Sequence, residues 1–444
     1  MNFKRLVKPY QKLLLYTLDY FVSIPSVYDE SGSTITNEAP YGESIRTVLH
    51  EFAKIGDMYG FDVDYNSRYV ELSVGSDGPL IEIYGHLDVV PVSKLADHDL
   101  FKMRRVGDSL LGRGVNDDKG PLLASFFAVK ALKDNGLIRN ARIKIFAGGD
   151  EERGASCLKY YVNTMKKETP TYGFTPDSKF PITYGEKGVG NFEIKKNISF
   201  KNIKYISGGE AQNIVIPSAT FIVDNIEQIK NSIDVPHKIN GDAITFIGKA
   251  AHGSEPNLGI NAFVLGLKTL GKLNNDQHTI DLAELLSDYS GKKFNAYGIG
   301  KHLGETTYNI GIVSYSDGVL DLKINYRFPE QVDFATLLKN YASALDATLI
   351  SEKHENYLLY DLSSPLIQKL LSAYRAETKD FSNPITSGGG TYAKIVKNTV
   401  AFGSEHSTID FKNHQDNEFI PVNHLMRLMA IYAHAIYNLM TNEN

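Results

Sequence analysis

The alternation of helix and strand between residue 40 and about residue 185 constrains the fold of this 444-residue chain most strongly. The helical segments are 41–59, 119–136 and 154–165, and the strand-like segments are 69–75, 80–85 and 141–149. Strands that alternate with helices favour parallel pairing, because each helix carries the chain back to the start of the next strand. We therefore predict an α/β fold, with an α/β/α sandwich around a mostly parallel sheet.

The pattern changes near residue 186 and returns near residue 365. Between these points, charged and Asn-rich segments alternate with strand-like and helical pieces, which indicates an inserted α+β domain long enough for two lobes. A chain of this length is also too long for one core. We predict a discontinuous first domain of residues 1–185 and 366–444, interrupted by an inserted domain of residues 186–365.

Composition excludes several classes of partner and location. The formal net charge of −5 gives no reason to expect nucleic acid or an anionic membrane as a partner. No segment reaches the roughly 18–20 apolar residues of a membrane span, and the N-terminus predicts an amphipathic helix rather than a signal peptide. The sole cysteine, Cys157, excludes an intrachain disulfide and fits a reducing compartment. We expect a cytoplasmic protein in which Cys157 is structural.

Six short segments rich in acidic residues and histidine are spread from residue 85 to residue 418. They are GHLDVVP at 85–91, GRGVNDDKGP at 112–121, GGDEERG at 148–154, TPDSKFP at 175–181, AAHGSEP at 250–256 and KNHQDNE at 412–418. Together they offer two histidines and three carboxylates for two divalent ions, with one further carboxylate left as a base. This inventory predicts a metal-assisted amide hydrolase. Because the last segment follows the insert, the ligands can converge only if the first domain is discontinuous.

Each segment allows both a functional and an incidental interpretation. His86 and Asp88 are two residues apart, so an extended backbone puts them on one side, where Asp88 can hold the histidine ring. Asp117 precedes a helix and is either a helix cap or a carboxylate that bridges both ions. Glu151 and Glu152 are either a solvated charged loop or a base beside a metal ligand.

The remaining two candidates lie in short polar loops. Asp177 follows a proline, and His414 lies within KNHQDNE. His406 competes with His414 for the last ligand position. The residue chemistry alone does not choose between these two histidines.

These segments, in this order, resemble the di-metal amidohydrolases that include aminoacylases, carnosinases and succinyl-diaminopimelate desuccinylases. Within that aminoacylase/carboxypeptidase/desuccinylase family, SGGGTYAK at 387–394, VAFG at 400–403 and HQDNE at 414–418 are most similar to the bacterial PepV-type Xaa-His dipeptidases. The resemblance covers nearly the whole chain.

The resemblance implies two divalent ions, with zinc expected first and manganese or cobalt also suited to a carboxylate-rich site. One ion would be held by His86, Asp177 and Asp117, and the second by Glu152, His414 and the same Asp117.

By the same resemblance, Asp88 orients the first histidine, and Glu151 is the general base that deprotonates the attacking water. In the insert, His252 of AAHGSEP resembles a histidine that polarises the scissile carbonyl. Asn213 and Arg327 resemble substrate-contacting positions, and the planar fork of Arg327 suits a C-terminal carboxylate.

A glycine loop in SGGGTYAK offers backbone N–H groups for the same carboxylate, through Gly388, Gly389 and Gly390. The long insert lets one chain supply its own histidine, which favours a monomer.

Two departures from the family concern specificity more than catalysis. SKLADHDLFKM at 93–103 lacks the Trp of relatives, and Lys394 stands where they often carry Arg.

We predict a metal-dependent dipeptidase that cleaves short peptides with a free C-terminal carboxylate. One alternative is an N-acyl or N-succinyl amino-acid amidohydrolase of the same architecture. Another is a non-catalytic metal- or peptide-binding protein on this scaffold, although a binding protein would need neither Glu151 nor His252. A phosphate-binding loop is excluded, because SGGGTYAK lacks the Lys-Ser/Thr ending that such a loop needs.

Overall fold

A computed structural model describes residues 1–93 and 98–441. The chain divides into two compact units. Unit 1 comprises Met1–Tyr184, Tyr360–Ile385 and Thr391–Asn444, and unit 2 comprises Gly185–Leu359 and Thr386–Gly390. Unit 1 is therefore discontinuous in sequence, and the glycine loop belongs to unit 2.

Unit 1 is built from helices and strands in alternation. Its α-helices are Phe3–Val7, Gln11–Val22, Glu43–Met58, Lys119–Asp134, Ser156–Asn163, Pro365–Thr378 and Val422–Met440. Its strands, two of which cross the unit boundary, are Asp62–Asn66, Tyr69–Val74, Leu80–His86, Arg104–Val106, Ser109–Leu111, Arg142–Gly148, Tyr172–Thr175, Ser178–Lys179, Thr183–Glu186, Ile385–Ser387, Thr399–Ala401, Ser404–Glu405 and Phe419–Pro421. The helices and strands predicted between residues 40 and 185 are confirmed.

The large sheet of unit 1 is parallel at its centre and antiparallel towards its edges. Strand Leu80–His86 pairs in parallel with Arg142–Gly148 on one side and with Tyr172–Thr175 on the other. The latter pairs in parallel with Thr399–Ala401. The carboxyl ends of these four strands share one edge of the sheet, so the residues that follow them are brought together.

Helices cover both faces of this sheet, as predicted for an α/β/α sandwich. On one face, Gly56 of Glu43–Met58 packs so closely on Leu72 that a Cβ there would lie 2.3 Å from the leucine side chain. Phe174 stacks on Tyr432 of the C-terminal helix on the same face, with ring centroids 5.7 Å apart. On the opposite face, Tyr161 of Ser156–Asn163 contacts Glu82 of the central strand.

Unit 2 contains an antiparallel sheet of eight strands. In spatial order these are His237–Asn240, Ala243–Ile247, Ser218–Val223, Ile203–Gly208, Thr307–Ser316, Val319–Phe328, Gly188–Asn197 and Thr348–Glu355. Its α-helices are Ile226–Ile229, Ala262–Leu273, Gln277–Leu286 and Phe334–Ala344. The eight strands form one continuous sheet. Helix Ala262–Leu273 packs on one half of this sheet, and helix Phe334–Ala344 packs on the other half.

Among residues 1–93 and 98–441, no helix combines the length and the apolar character that a membrane crossing demands.

Candidate metal centre

Five of the predicted side chains meet at the carboxyl edge of the unit 1 sheet. The ligand atoms of His86, Asp117 and Asp177 lie within 4.8 Å of one another, and so do those of Asp117, Glu152 and His414. Each group joins one histidine nitrogen to carboxylate oxygens, a donor set suited to a divalent ion such as zinc or manganese. Because Asp117 belongs to both groups, the arrangement fits two ions that share one carboxylate.

The two oxygens of Asp117 point to different histidines. Its Oδ1 lies 3.1 Å from His86 Nε2, and its Oδ2 lies 2.9 Å from His414 Nε2. Asp177 Oδ2 lies 3.8 Å from the same nitrogen of His86, and Glu152 Oε1 lies 3.1 Å from that of His414. A carboxylate with one oxygen in each group has the arrangement that a bridging ligand needs.

Asp88 connects the first histidine with the two glutamates. Its two carboxylate oxygens accept hydrogen bonds from the backbone N–H groups of Glu151 and Glu152, each at 3.1 Å. His86 Nδ1 lies 2.9 Å from the backbone oxygen of Asp88 and 3.4 Å from its Oδ1. Because the Nδ1 side of the ring is occupied, Nε2 is left to face the ligand group.

Burial and mutual repulsion disfavour the charged forms of three acids at this edge. Burial, followed by the charge of Asp177, raises the pKa of Glu151 well above its usual range. Burial, followed by the charge of Asp117, raises the pKa of Asp177 to about 7 and also raises the pKa of Glu152. Hydrogen bonds with Asp117 and Glu152 raise the pKa of His414 to about 11. Such crowding of carboxylates is costly unless cations offset it, which supports the metal interpretation.

Glu418 holds the loop that carries Asp117, a role that the sequence argument did not assign. Its Oε2 accepts hydrogen bonds from Arg113 Nη1 at 2.9 Å and from the Gly114 N–H at 3.1 Å. Its Oε1 accepts from the N–H groups of Asn116 at 3.0 Å and Asp117 at 3.2 Å. The only sequence signal was its place at the end of KNHQDNE, four residues after His414.

Asp118, the acid next to Asp117, also contacts a residue of the candidate metal centre. Asp118 is fully buried, and its Oδ2 accepts a hydrogen bond from the His86 backbone N–H at 3.2 Å. It stands at the N-terminus of helix Lys119–Asp134 but makes no side-chain cap hydrogen bond. Asp118 therefore does not cap this helix with its side chain.

Asp150, the first of the three acids in GGDEERG, has a structural role instead. Its carboxylate accepts hydrogen bonds from the Ser156 N–H at 3.0 Å and the Cys157 N–H at 2.8 Å. These groups begin helix Ser156–Asn163, so Asp150 satisfies N–H groups that have no partner within the helix. Cys157 is buried, with its Sγ 3.2 Å from the Tyr392 hydroxyl.

The predicted substrate-contacting residues lie in unit 2. His252 is exposed, and its Nδ1 lies 2.7 Å from Ser254 Oγ. The next residue, Gly253, donates its N–H to the backbone oxygen of Asn213 at 2.7 Å. Arg327 is only 4% exposed, and its Nη1 donates to the Gly388 oxygen at 3.1 Å. In the same loop, Gly389 donates its N–H to Ser387 Oγ at 3.0 Å, and Gly390 follows it.

His406 and Lys394 belong to neither ligand group found among the described residues. His406 Nδ1 is 2.8 Å from Thr408 Oγ1, and its Nε2 is 3.5 Å from Asp380 Oδ2. Lys394 ends the short 3-10 helix Tyr392–Lys394. Residues 94–97 of SKLADHDLFKM lie outside the described residues.

A family comparison matches residues 83–438 to Peptidase family M20/M25/M40. The chain belongs to this family. A Staphylococcus haemolyticus protein named "putative dipeptidase" is 32% identical to the M20 chain over 470 residues, which cover 98% of the chain and 99% of the relative. The predicted family resemblance is thereby confirmed.

Two solved structures share the architecture of the M20 chain. Human carnosine dipeptidase 1 superposes with a TM-score of 0.62 at 14% identity, covering 99% of this chain and 98% of that one. A di-peptidase from Saccharomyces cerevisiae superposes with a TM-score of 0.61 at 14% identity, covering 100% and 99%. At these identities the likeness concerns the fold, and it confirms the predicted α/β architecture with an inserted domain.

Proposed function

We propose that the M20 chain is a metal-dependent dipeptidase that hydrolyses short peptides with a free C-terminal carboxylate. The observation that carries the proposal is Asp117, whose two oxygens lie 3.1 Å and 2.9 Å from the Nε2 atoms of His86 and His414. Membership of a peptidase family supports peptide hydrolysis, and the name of the 32% identical relative supports dipeptides as substrates.

In this proposal His86, Asp177 and Asp117 hold one ion, and Glu152, His414 and Asp117 hold the second. Zinc is the ion expected first, with manganese or cobalt as alternatives, because carboxylate and imidazole ligands suit all three. When bound, the ions would supply Lewis acidity that polarises the peptide carbonyl and eases loss of a proton from water.

Glu151 is proposed as the general base. It takes a proton from the attacking water and then returns it to the leaving amine. Two observations support this role. Its backbone is anchored by Asp88 at 3.1 Å, and its side chain belongs to neither ligand group of the described residues.

The residues of unit 2 are proposed to bind the substrate. His252 donates a hydrogen bond to the oxyanion that develops on the scissile carbonyl. Arg327 binds the C-terminal carboxylate, with Asn213 and the glycine loop completing the contacts. Arg327 is buried, and among the described residues it forms no salt bridge with an acidic side chain. Burial lowers the pKa of Arg327 to about 10, since desolvation disfavours the charged form, and a bound anion would offset that cost.

A separate proposal concerns the location and the assembly of the protein. We propose a cytoplasmic monomer, because the single cysteine, Cys157, is buried as a free thiol and because the insert is long enough for one chain to supply its own His252. Light scattering of the purified protein, with zinc present and absent, tests the monomer.

The test of function is hydrolysis of a substrate panel by the purified protein before and after chelation, with zinc or manganese then restored. The panel holds carnosine, several Ala-Xaa dipeptides, a C-amidated dipeptide, a tripeptide, and N-acetyl and N-succinyl amino acids. We expect cleavage of free dipeptides that is lost on chelation and recovered with metal. Activity confined to the acylated amino acids would assign the chain to the amidohydrolase alternative. Absence of hydrolysis of every substrate with every metal would contradict the proposal that the chain is an enzyme.

A further inference from the structure

A row of three asparagines crosses the sheet of unit 2. The strand register places Asn191 directly opposite Asn325, and Asn325 directly opposite Asn309. Directly opposed residues point to the same face of a sheet. The other face carries Phe192 and Tyr326, whose rings meet at 5.6 Å in the apolar core. The asparagine row therefore lies on the face away from the aromatic core, and yet Asn309 and Asn325 are each only 2% exposed.

The Asn325 amide is almost fully hydrogen-bonded. Both of its N–H groups and one of the two lone pairs of its oxygen have partners. Its Nδ2 donates to Asn191 Oδ1 at 2.8 Å and to the Gly190 backbone oxygen at 3.1 Å. Its Oδ1 accepts a hydrogen bond from Arg327 Nε at 2.9 Å. A guanidinium can only donate, so the oxygen of the amide must face Arg327. The orientation of Asn325 is thus determined by its neighbours on both sides.

Arg327 stands two residues after Asn325, on the same face of the strand. Its guanidinium is held at two points, through Nε by Asn325 and through Nη1 by the Gly388 oxygen at 3.1 Å. These two bonds leave the Nη2 group and the second N–H of Nη1 for another acceptor. A carboxylate that binds two guanidinium N–H groups needs the fork in one fixed plane. Without the Nε contact, the fork would be free to turn about the Gly388 bond.

The same amide borders the loop that carries His252. A Cβ on Gly253 would lie 3.0 Å from Asn325 Oδ1 and 3.0 Å from the Asn213 backbone oxygen. That distance is tighter than most Cβ contacts, so a side chain at position 253 would require the loop or Asn325 to shift by a few tenths of an ångström. The Asn325 amide therefore hydrogen-bonds Arg327 and borders the loop that carries His252.

We propose that Asn325 is a positioning residue that orients the Arg327 guanidinium towards the C-terminal carboxylate of the substrate, and so sets selectivity for a free C-terminus. The inference rests on the proposed function. It assigns to Asn325 a role beyond filling buried space: the residue acts on substrate choice through Arg327.

The experiment compares kcat/KM for a free dipeptide and for its C-amidated form, in zinc-loaded full-length enzyme. The variants are Asn325→Leu, Arg327→Met and the double variant. We expect Asn325→Leu to reduce the preference for the free dipeptide by about tenfold or more, mainly through KM, because a hydrogen bond to a charged group is lost. On the Arg327→Met background, Asn325→Leu should change the preference by less than about twofold, since its effect passes through the missing guanidinium.

Asn274→Leu is the matched control. Asn274 is also a buried asparagine of unit 2, only 5% exposed, but its amide contacts Asn202, Asn225 and the Lys201 backbone. It should lower the melting temperature without changing the preference. If Asn325→Leu does not fold, Asn325→Ala is measured in its place, because the smaller side chain admits water to the polar groups.

An unchanged preference in the folded Asn325 variant, or additive effects of the Asn325 and Arg327 substitutions, would overturn the inference. If the wild-type protein cleaves no dipeptide, that result would instead contradict the proposed function. The two failures are distinguishable, because the first requires an active wild-type enzyme.

Discussion

The Glu418 carboxylate accepts a hydrogen bond from the backbone N–H of Asp117 at 3.2 Å, although 301 residues separate the two. The same carboxylate binds the Gly114 and Asn116 N–H groups and Arg113 Nη1. It therefore holds the loop from Arg113 to Asp117 in the conformation that directs the Asp117 side chain to both histidines.

Glu418→Gln is expected to weaken metal binding by about 10–100-fold, the usual range for residues that orient metal ligands. The amide nitrogen would face backbone N–H groups that need an acceptor, so the loop has to move. Metal content after dialysis against a graded chelator series measures this. Asp416→Asn, in the same segment, serves as control, because the Asp416 carboxylate accepts a hydrogen bond from the Ser93 N–H at 3.2 Å and not from the loop that carries Asp117. Equal metal retention in both variants would contradict the role assigned to Glu418.

Glu151→Ala is expected to retain metal and to lower kcat by about 10²–10⁴-fold, the range typical of a lost general base. Asp150→Ala is the neighbouring control. Because Asp150 accepts hydrogen bonds from the Ser156 and Cys157 N–H groups at the start of helix Ser156–Asn163, its loss should cost roughly 0.5–2 kcal/mol of stability with much smaller effect on kcat. Steady-state kinetics, zinc analysis and thermal melting distinguish the two variants. Wild-type turnover in Glu151→Ala would exclude Glu151 as the base.

His414→Ala is expected to reduce bound zinc from two ions to one per chain and to abolish dipeptide cleavage. The ligand group of Asp117 and Glu152 then lacks its only histidine. His406→Ala should retain both ions, because His406 contacts Thr408 and Asp380 instead. Inductively coupled plasma mass spectrometry on matched preparations gives the stoichiometry. Two ions in His414→Ala would show that the second ion is held elsewhere.

Glu82 should make the stability of unit 1 depend on pH. The side chain is fully buried and accepts a hydrogen bond from the Tyr161 hydroxyl at 2.5 Å. Burial raises the pKa of Glu82 to about 7 from a usual value of 4.5. Between these values the folded state holds a proton that the unfolded state has released, so the free energy of unfolding falls as pH rises from 4.5 to 7. The full loss is about 3 kcal/mol above this window.

Glu82→Gln should flatten this dependence and should be more stable than the wild type at pH values above the window, because the amide carries no charge. Urea denaturation on both sides of the window measures the difference. Glu71→Gln is the control, since the Glu71 carboxylate pairs with Lys144 at 3.1 Å and Lys167 at 3.2 Å. Removing that paired charge should destabilise the protein instead. The same pH slope in Glu82→Gln and wild type would mean that Glu82 is ionised in the folded state.

Local patterns predicted the elements of unit 1 well. The apolar helix of residues 119–136 forms as Lys119–Asp134, and the strand segment of 80–85 forms as Leu80–His86. These predictions succeed because helical and strand periodicity is a property of neighbouring residues. In GGDEERG, by contrast, the pattern does not separate Asp150 from the two glutamates. The three carboxyls are identical in chemistry, and only their surroundings assign one to a helix end.

The sequence by itself determined the types of candidate ligand, their order along the chain and the family to which the chain belongs, because these depend on residue identity and local spacing. Only the tertiary structure decided that Asp117 faces two histidines, that Glu418 holds its loop and that Asn325 holds Arg327. These contacts join residues on different strands and loops, and hydrogen bonds act over about 3 Å. Whether two polar groups approach that closely depends on the packing of the whole unit, which no local pattern encodes.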